Sequence, residues 1–79
     1  MLFRSYNGNG SDGGTVPVDS GTYNTGEAVT VAANSGTLTL TGSTFSGWNT
    51  AANGSGITYP VGSSFVMGKA NVTLYALWV

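Results

Sequence analysis

Apolar and polar residues alternate along short runs of this chain, and the longest run closes it. From Asn71 to Val79 one alternating series is apolar, namely Val72, Leu74, Ala76 and Trp78. The intervening series is Thr73, Tyr75, Leu77 and Val79. A period of two places successive side chains on opposite faces of a β-strand. The pattern therefore predicts a strand over Asn71–Val79 with one face turned towards a core.

A second alternating stretch lies in the middle of the chain. Val29 and Val31 share one face of a first run, Glu27–Val31. A second run, Thr37–Leu40, follows the turn-forming residues Asn34-Ser35-Gly36. β-branched Thr and Val are frequent here and suit a pleated surface better than a helix. We expect the two runs to pair as a hairpin.

Glycine and proline divide the rest of the chain into short pieces. Thirteen Gly and two Pro leave no window of a dozen residues with an uninterrupted helical period. Further strands are predicted over Leu2–Tyr6, Thr44–Trp48, Ile57–Tyr59 and Phe65–Met67. Residues 7–14 are predicted to form a loop, and Pro17 makes residues 15–18 an edge or irregular segment. The chain is therefore predicted to be mainly β, a small twisted sheet in a single domain over residues 1–79, with a short or absent helix.

The size of the chain determines what its core must contain. A chain of 79 residues buries only about 60–65% of its unfolded surface, so large side chains must fill its core. Nine aromatic residues supply that volume. We expect Trp48 to be largely buried and Trp78 at least half buried. Gly47 would permit either a close backbone approach or a bulge that re-aims Trp48.

Charge and composition exclude several classes of function. The charged residues are Arg4, Asp12, Asp19, Glu27 and Lys69, with a net charge of −1. Two cations cannot follow a phosphate backbone, so we expect no nucleic-acid partner. The chain has no Cys and no His, which removes thiol chemistry, the commonest metal ligands and the commonest general base. No apolar run approaches the roughly 20 residues that span a bilayer, so no membrane insertion is expected.

The Gly-rich loop carries two patterns with a chemical meaning. Residues Gly8–Gly13 spell G-x-G-x-x-G, a dinucleotide fingerprint only where it opens a helix. Here the pattern is followed by Thr15-Val16-Pro17, which cannot start that helix, so a flexible surface loop is favoured. The same loop offers oxygen ligands from Asn7, Asn9, Ser11 and Asp12. Calcium sites normally use several carboxylates, and this loop has one, so neither a metal nor a cofactor is expected.

The remaining candidates are acidic and aromatic side chains. Asp19 and Glu27 could approach across a turn as a glycosidase pair, but a chain this small has little room for a cleft. We therefore expect solvated surface acids, no catalytic residue and no enzyme. Four tyrosines could stack on sugar rings or form an adhesive patch, but core packing or sheet coverage is favoured for them: Tyr6, Tyr23, Tyr59 and Tyr75. Three N-x-S/T sequons, at Asn9, Asn53 and Asn71, are interpreted as chance products of the composition.

Two aromatic motifs carry a family resemblance. Phe45-Ser46-Gly47-Trp48 corresponds to an F-x-G-W core, and Val72–Trp78 reads V-T-L-Y-A-L-W. With Asn49–Gly56 after the first motif, the order resembles the Listeria–Bacteroides repeat, also called the internalin B-repeat. Ser43 departs from the family by replacing a Tyr, and Leu77 stands where many members carry Lys. The resemblance implies a β-grasp-like fold and a role in bacterial surface proteins.

Two functional hypotheses follow from the resemblance and the composition. The first is a non-enzymatic spacer or stalk repeat of a larger cell-surface or secreted protein, such as an adhesin, with neighbouring domains of the same chain as partners. The alternative is a binding module for a host protein or glycan, through exposed aromatics or a free strand edge. Either implies an extracellular location. We expect a monomer, although an uncharged last strand at a sheet edge would invite pairing.

Overall fold

The computed structural model describes residues 2–18 and 21–79 and is built from β-strands. They are β1 (Arg4–Asn7), β2 (Ala28–Thr30), β3 (Phe45–Asn49), β4 (Thr58–Tyr59), β5 (Ser64–Val66) and β6 (Val72–Trp78). The described residues contain no helix. The mainly β prediction is confirmed, and most predicted strands differ from the observed ones by one or two residues at their ends.

The strands form two small sheets. The larger has the order β1-β6-β3-β4, and the smaller pairs β2 with β5. β1 runs parallel to β6, whereas the other pairs are antiparallel. The last strand is therefore central, and the expectation that it might lie at a sheet edge is wrong. The edges of the larger sheet are β1 and β4, which are four and two residues long, and short edges limit pairing between molecules.

The alternation read from the sequence correctly assigns the inner faces of the strands. Leu74 and Ala76 in β6 are buried, and Thr73, on the opposite face of the same strand, is exposed. Val29 is buried between exposed neighbours in β2, and Val31 just after this strand is also buried. Burying one alternate set against a core fixes the register, since a slip by one residue would expose the whole set.

Trp48 is the centre of the core, where side chains of both sheets meet. It is fully buried, and Tyr6 and Phe45 contact it edge-on with ring centroids 4.7 and 5.1 Å away. Phe45 also contacts Trp78 edge-on at 5.9 Å. Tyr59 stacks on another ring at 4.7 Å, that of Phe65, and so joins β4 to β5 across the sheets. Trp48 is buried and Trp78 more than half buried, as predicted.

A bulge in β3 accounts for the glycine of the F-x-G-W motif. The pairing with β6 shifts between Phe45 and Gly47, and Gly47 has a φ of 133°. A Cβ there would lie 3.2 Å from the Tyr59 carbonyl oxygen. The bulge interrupts the alternation of inward and outward side chains, and as a result Gly47, Trp48 and Asn49 are all buried. Both predicted roles of Gly47, close approach and a bulge, are therefore confirmed.

Replacing Gly47 with alanine should destabilise the unit by about 1–3 kcal/mol, since an L-residue is strained at this φ and its Cβ crowds a backbone carbonyl. Gly68→Ala is the matched control, because a Cβ at Gly68 meets no atom within 4 Å. We expect it to change stability by no more than about 0.5 kcal/mol. Urea unfolding followed by circular dichroism measures both, and equal midpoints for the two variants would contradict the proposed strain.

The predicted hairpin between Glu27–Val31 and Thr37–Leu40 is wrong. β2 pairs instead with β5, with Val29 opposite Phe65. Backbone hydrogen bonds extend this pairing at both ends, from the Val31 N–H to the Ser63 carbonyl and from the Met67 N–H to the Glu27 carbonyl. The partner of β2 is therefore more than thirty residues away along the chain.

Local side-chain bonding explains why residues 37–40 leave the predicted hairpin. The Asn34 side chain accepts a hydrogen bond from the Leu38 N–H at 2.8 Å and donates to the Leu38 carbonyl at 3.2 Å. These bonds close residues 34–38 into a compact turn, in which Thr37 has a φ of 55°. The chain then runs along the Gly-rich loop, where the Thr39 N–H donates to the Gly13 carbonyl.

Candidate functional site

The Gly-rich loop after β1 is fastened to the rest of the unit. The Trp78 indole N–H donates to the Gly8 carbonyl at 3.0 Å. The side-chain amide of Asn9 donates to the carbonyls of Ala52 and Ala76, at 2.6 and 3.0 Å. The loop opens no helix, which is the context that a dinucleotide fingerprint requires. The expected flexible loop is, however, anchored at several points.

The oxygen atoms predicted as possible calcium ligands are used within the loop or lie apart. The Asn7 side-chain oxygen accepts from the Asn9 N–H at 2.8 Å. The amide of Asn9 faces β6 and the loop after β3, as described above. The Asp12 carboxylate accepts hydrogen bonds from the Thr39 hydroxyl and the Thr41 N–H. Among residues 2–18 and 21–79, no three acidic side chains come together as a metal site.

Asp12 holds two segments of the chain together. Its carboxylate accepts from the Thr41 N–H at 2.8 Å, and its own N–H donates to the Thr39 carbonyl at 2.8 Å. Hydrogen bonds from the Thr41 hydroxyl and N–H lower the pKa of Asp12 below its ordinary value. Because the folded-state pKa is depressed, the stabilisation is present above the unfolded value and is lost as the pH falls through the folded value.

Asp12→Asn should weaken the acid dependence of stability. In the wild type, the melting midpoint should fall as the pH drops below about 3.9, the ordinary pKa of an aspartate. In Asp12→Asn that part of the decline should be absent, because the amide does not titrate. Glu27→Gln, which removes a different acid, should retain the Asp12-dependent decline. Thermal melts across this pH range measure the effect, and superimposable wild-type and Asp12→Asn profiles would refute it.

Asn49 is a fully buried amide whose four hydrogen-bonding positions are all occupied. Its NH₂ group donates to the Gly54 carbonyl at 3.2 Å and to the Thr58 hydroxyl at 2.9 Å. Its oxygen accepts from the N–H groups of Ala51 and Gly56, at 2.9 and 3.0 Å. One side chain thus shapes the loop between β3 and β4. Sequence reasoning missed this role, and the signal available was the W-N-T sequence at the end of a predicted strand.

Arg4 is the other polar residue in the core that the sequence analysis did not place there. It is 5% exposed, and its guanidinium lies 5.2 Å from the ring centre of Tyr6 and 5.8 Å from those of Tyr23 and Phe65. Cations are attracted to aromatic faces at such distances. The signal was its position two residues before Tyr6, which puts both side chains on the inner face of β1.

The four tyrosines are buried or partly buried. Tyr6 is buried, and the other three are partly buried: Tyr23, Tyr59 and Tyr75. Tyr6 belongs to the core and Tyr59 packs against it, whereas Tyr75 alternates with the buried Leu74 and Ala76 and so covers the opposite face of the larger sheet. The large exposed apolar side chains are instead Phe3, Val18, Ile57, Val61, Val66 and Val79. Phe3, at 49% exposed, is the aromatic residue in this set.

The structure brings the remaining charged candidates into no common site. Asp19 lies outside the described residues, so neither its expected solvation nor the alternative of an approach to Glu27 is tested. Glu27 is exposed and accepts from the Asn24 N–H at 2.9 Å. Lys69 is exposed in the turn before β6, while Arg4 is buried in β1. No cavity is lined by residues 2–18 and 21–79.

The described residues thus form a small β-module in which indole and amide side chains donate hydrogen bonds to the backbone of its loops. The sequence profile of the Listeria–Bacteroides repeat domain matches residues 5–77, so the chain belongs to this family. The resemblance drawn from the two aromatic motifs is confirmed. The family supplies repeat modules of bacterial surface and membrane-associated proteins.

Two relatives come from the bacterium Evansella cellulosilytica. One, named "Putative Gly-rich membrane protein", is 47% identical over 94% of this chain and 9% of its own length. The other, named "Putative membrane protein", is 42% identical over 92% of this chain and 11% of its own length. The chain thus spans about a tenth of the relatives it matches. In the part of the chain that the structure describes, no helix is long and apolar enough to cross a membrane.

No solved structure matches the chain. The β-grasp likeness implied by the resemblance therefore stays a prediction, whereas the mixed β-sheet architecture stands on the strand pairing itself.

Proposed function

We propose that this unit is a spacer or stalk repeat in a longer bacterial surface protein, such as an adhesin, and that it acts without catalysis. Membership of the Listeria–Bacteroides repeat family supports the setting. The relatives support it as well, since each is roughly ten times longer than the matched segment. The partners in this proposal are the neighbouring domains of the same chain.

The observation that carries the proposal is the parallel pairing of the first and last strands. Phe3, just before β1, lies beside Asn71 and accepts a hydrogen bond from the Val72 N–H at 3.0 Å. Trp78 and Val79 lie at the other end of the same pair of strands. The chain therefore enters and leaves at opposite ends of a strand pair. β6 has seven residues and is about 23 Å long at roughly 3.3 Å per residue. Units linked in series would add length in one direction.

A test on the full-length protein can separate a spacer from a binding module. Deleting the unit should bring an epitope placed beyond it closer to the cell surface, as measured by fluorescence energy transfer to a membrane dye. Exchanging the unit for an unrelated β-domain of similar end-to-end length should restore the distance. If the exchange restores both the distance and the biological activity of the protein, the sequence of the unit is not itself recognised.

The purified unit provides the complementary measurement. We expect no saturable binding to host proteins or glycans, and a monomer by sedimentation at micromolar concentration. Saturable binding that is lost in Phe3→Ser and kept in Ile57→Ser would favour the alternative, a binding module that uses its exposed aromatic residue. Both positions are exposed and apolar, which makes them a matched pair.

A further inference from the structure

We propose that the β1–β6 pairing is a shear clamp that makes this unit resist force applied to its two ends. The inference rests on the proposed function, because it requires the unit to be held between neighbours in a longer chain. It goes further by assigning a mechanical task to particular residues. This β1–β6 clamp consists of β1, β6 and the residues that hydrogen-bond across their ends: Phe3, Gly8, Asn9 and Asn71.

The direction of the strands determines how the clamp is loaded. β1 and β6 run parallel, with Arg4 opposite Val72 and Asn7 opposite Tyr75. Force from the preceding segment pulls β1 backwards from its start, and force from the following segment pulls β6 forwards from its end. The two strands are drawn past each other along their length. All the bonds between them then share the load, whereas strands pulled from the same end lose their bonds one at a time.

The adjacency of these strands makes the clamp the direct connection between the two ends of the unit. β1 and β6 are neighbours in the sheet, so tension passes from one to the other directly. Outside the strand pair, Leu2 forms a backbone bridge with Tyr23, and Val79 exchanges two backbone hydrogen bonds with Thr44, so these short contacts also bear load at the two ends. On its other side β6 is paired with β3 along the length from Phe45 to Asn49, so β6 is held in place while β1 is pulled.

Side chains extend the clamp beyond the four residue pairs of the strand register. At its start the Phe3 N–H donates to the side-chain oxygen of Asn71 at 2.9 Å. At its far end, Asn9 donates to the Ala76 carbonyl and Trp78 to the Gly8 carbonyl, each at 3.0 Å. The chain from Phe3 to Asn9 is therefore tied to β6 along most of its length.

Burial protects the inner face of the clamp from water. Arg4 and Tyr6 of β1 are buried, as is Leu74 of β6 opposite Tyr6. Water that reaches a strained hydrogen bond can replace its partner, so a dry inner face slows rupture. Forced unfolding follows the unfolding rate rather than the equilibrium stability, and this arrangement acts on that rate.

Single-molecule pulling in two geometries tests the clamp. In the first, handles are attached at the two termini of the 79-residue chain. In the second, they are attached at the N-terminus and at Lys69→Cys, a unique thiol in a chain without cysteine. Lys69 is exposed just before β6, so this geometry peels the strands from one end. At equal loading rates, the unfolding force should be several-fold higher between the termini. Equal forces in the two geometries would overturn the proposal.

A pair of asparagine variants tests the side-chain extension. Asn9→Gly removes the bonds to Ala52 and Ala76 while tolerating the left-handed backbone at this position, where φ is 51°. It should lower the unfolding force between the termini more than the peeling force. Asn53→Gly is the control, since the Asn53 side chain bonds only within its own loop, to Ser55. It should change neither force, and an equal loss in both variants would overturn the extension.

The pulling experiment and the cellular experiment can refute the clamp and the spacer role independently of each other. A unit with equal forces in both geometries could still hold an epitope away from the cell, which would leave the spacer proposal intact and remove the clamp. A unit with strong shear resistance whose deletion leaves the epitope distance unchanged would remove the spacer role and leave the clamp as a property of the fold.

Discussion

Trp48→Ala should unfold the unit or bring it close to unfolding. The indole is fully buried, contacts the rings of Tyr6 and Phe45, and donates to the Ala32 carbonyl at 3.0 Å. Truncating such a side chain costs about 3–5 kcal/mol. A domain of this size has a total stability of only about 5 kcal/mol. Far-ultraviolet circular dichroism and urea unfolding at 25 °C measure the loss.

Two further variants keep the Trp48 prediction informative if the alanine variant does not fold. Trp48→Phe keeps most of the volume but loses the bond to Ala32, so it should fold with a lower midpoint and leave Trp78 as the single tryptophan reporter. Ile57→Ala is the control, since Ile57 is 61% exposed, and should change stability by no more than about 0.5 kcal/mol. A Trp48→Ala variant as stable as Ile57→Ala would show that the indole does not hold the core together.

Asn49→Asp should strongly destabilise the unit, although it replaces only the side-chain NH₂ group with an oxygen. The shape is kept, but a group that donates to Gly54 and Thr58 becomes an oxygen that can only accept when ionised. The carboxylate would be fully buried and would face the Gly54 carbonyl. Losing these bonds and burying a charge should cost at least about 2–3 kcal/mol at neutral pH. Chemical denaturation at pH 7 measures this cost.

The pH dependence distinguishes this explanation from a general loss of packing. Burial raises the pKa of a carboxyl above its unfolded value, so the variant should regain stability as the pH falls and its carboxyl becomes neutral. Asn53→Asp is the control, because the Asn53 side chain uses only its oxygen, towards the N–H and hydroxyl of Ser55. It should be nearly neutral. Equal costs in both variants, or a cost in Asn49→Asp that is unchanged at low pH, would refute the proposed role of the buried amide.

The sequence predicted the faces of the strands better than their partners. Alternation placed Val29, Val31 and Leu74 inside correctly, because period two is a local property of the chain. Pairing is not local. β2 found β5 rather than residues 37–40, because the Asn34 side chain bonds Leu38 and closes the chain into a turn. The central position of β6 was missed for the same reason, since a strand pattern does not say which strands will flank it.

The polar residues of the interior were the hardest to predict. Arg4 and Asn49 read as surface residues by type, since Arg and Asn are mostly exposed in proteins. Each is buried because particular partners meet it: the rings of Tyr6, Tyr23 and Phe65 for Arg4, and loop backbone groups for Asn49. Apart from Tyr6, which lies in β1 with Arg4, those partners come from other segments of the chain or from the far side of a loop, so composition could not reveal them. The aromatic motifs were informative because large rings are nearly always buried in so small a chain.

The position of β6 also sets the order in which the unit can fold. β1 and β3 both flank β6 in the larger sheet and do not pair with each other. Until residues 72–78 are available, the first strand has no neighbour in that sheet. When a chain is delivered N-terminus first, from a ribosome or through a narrow channel, the larger sheet can close only after the last strand has emerged. Contacts between distant parts of a sequence form slowly. The larger sheet of each unit would therefore stay unformed, and the chain able to pass through a channel, until its final residues arrive.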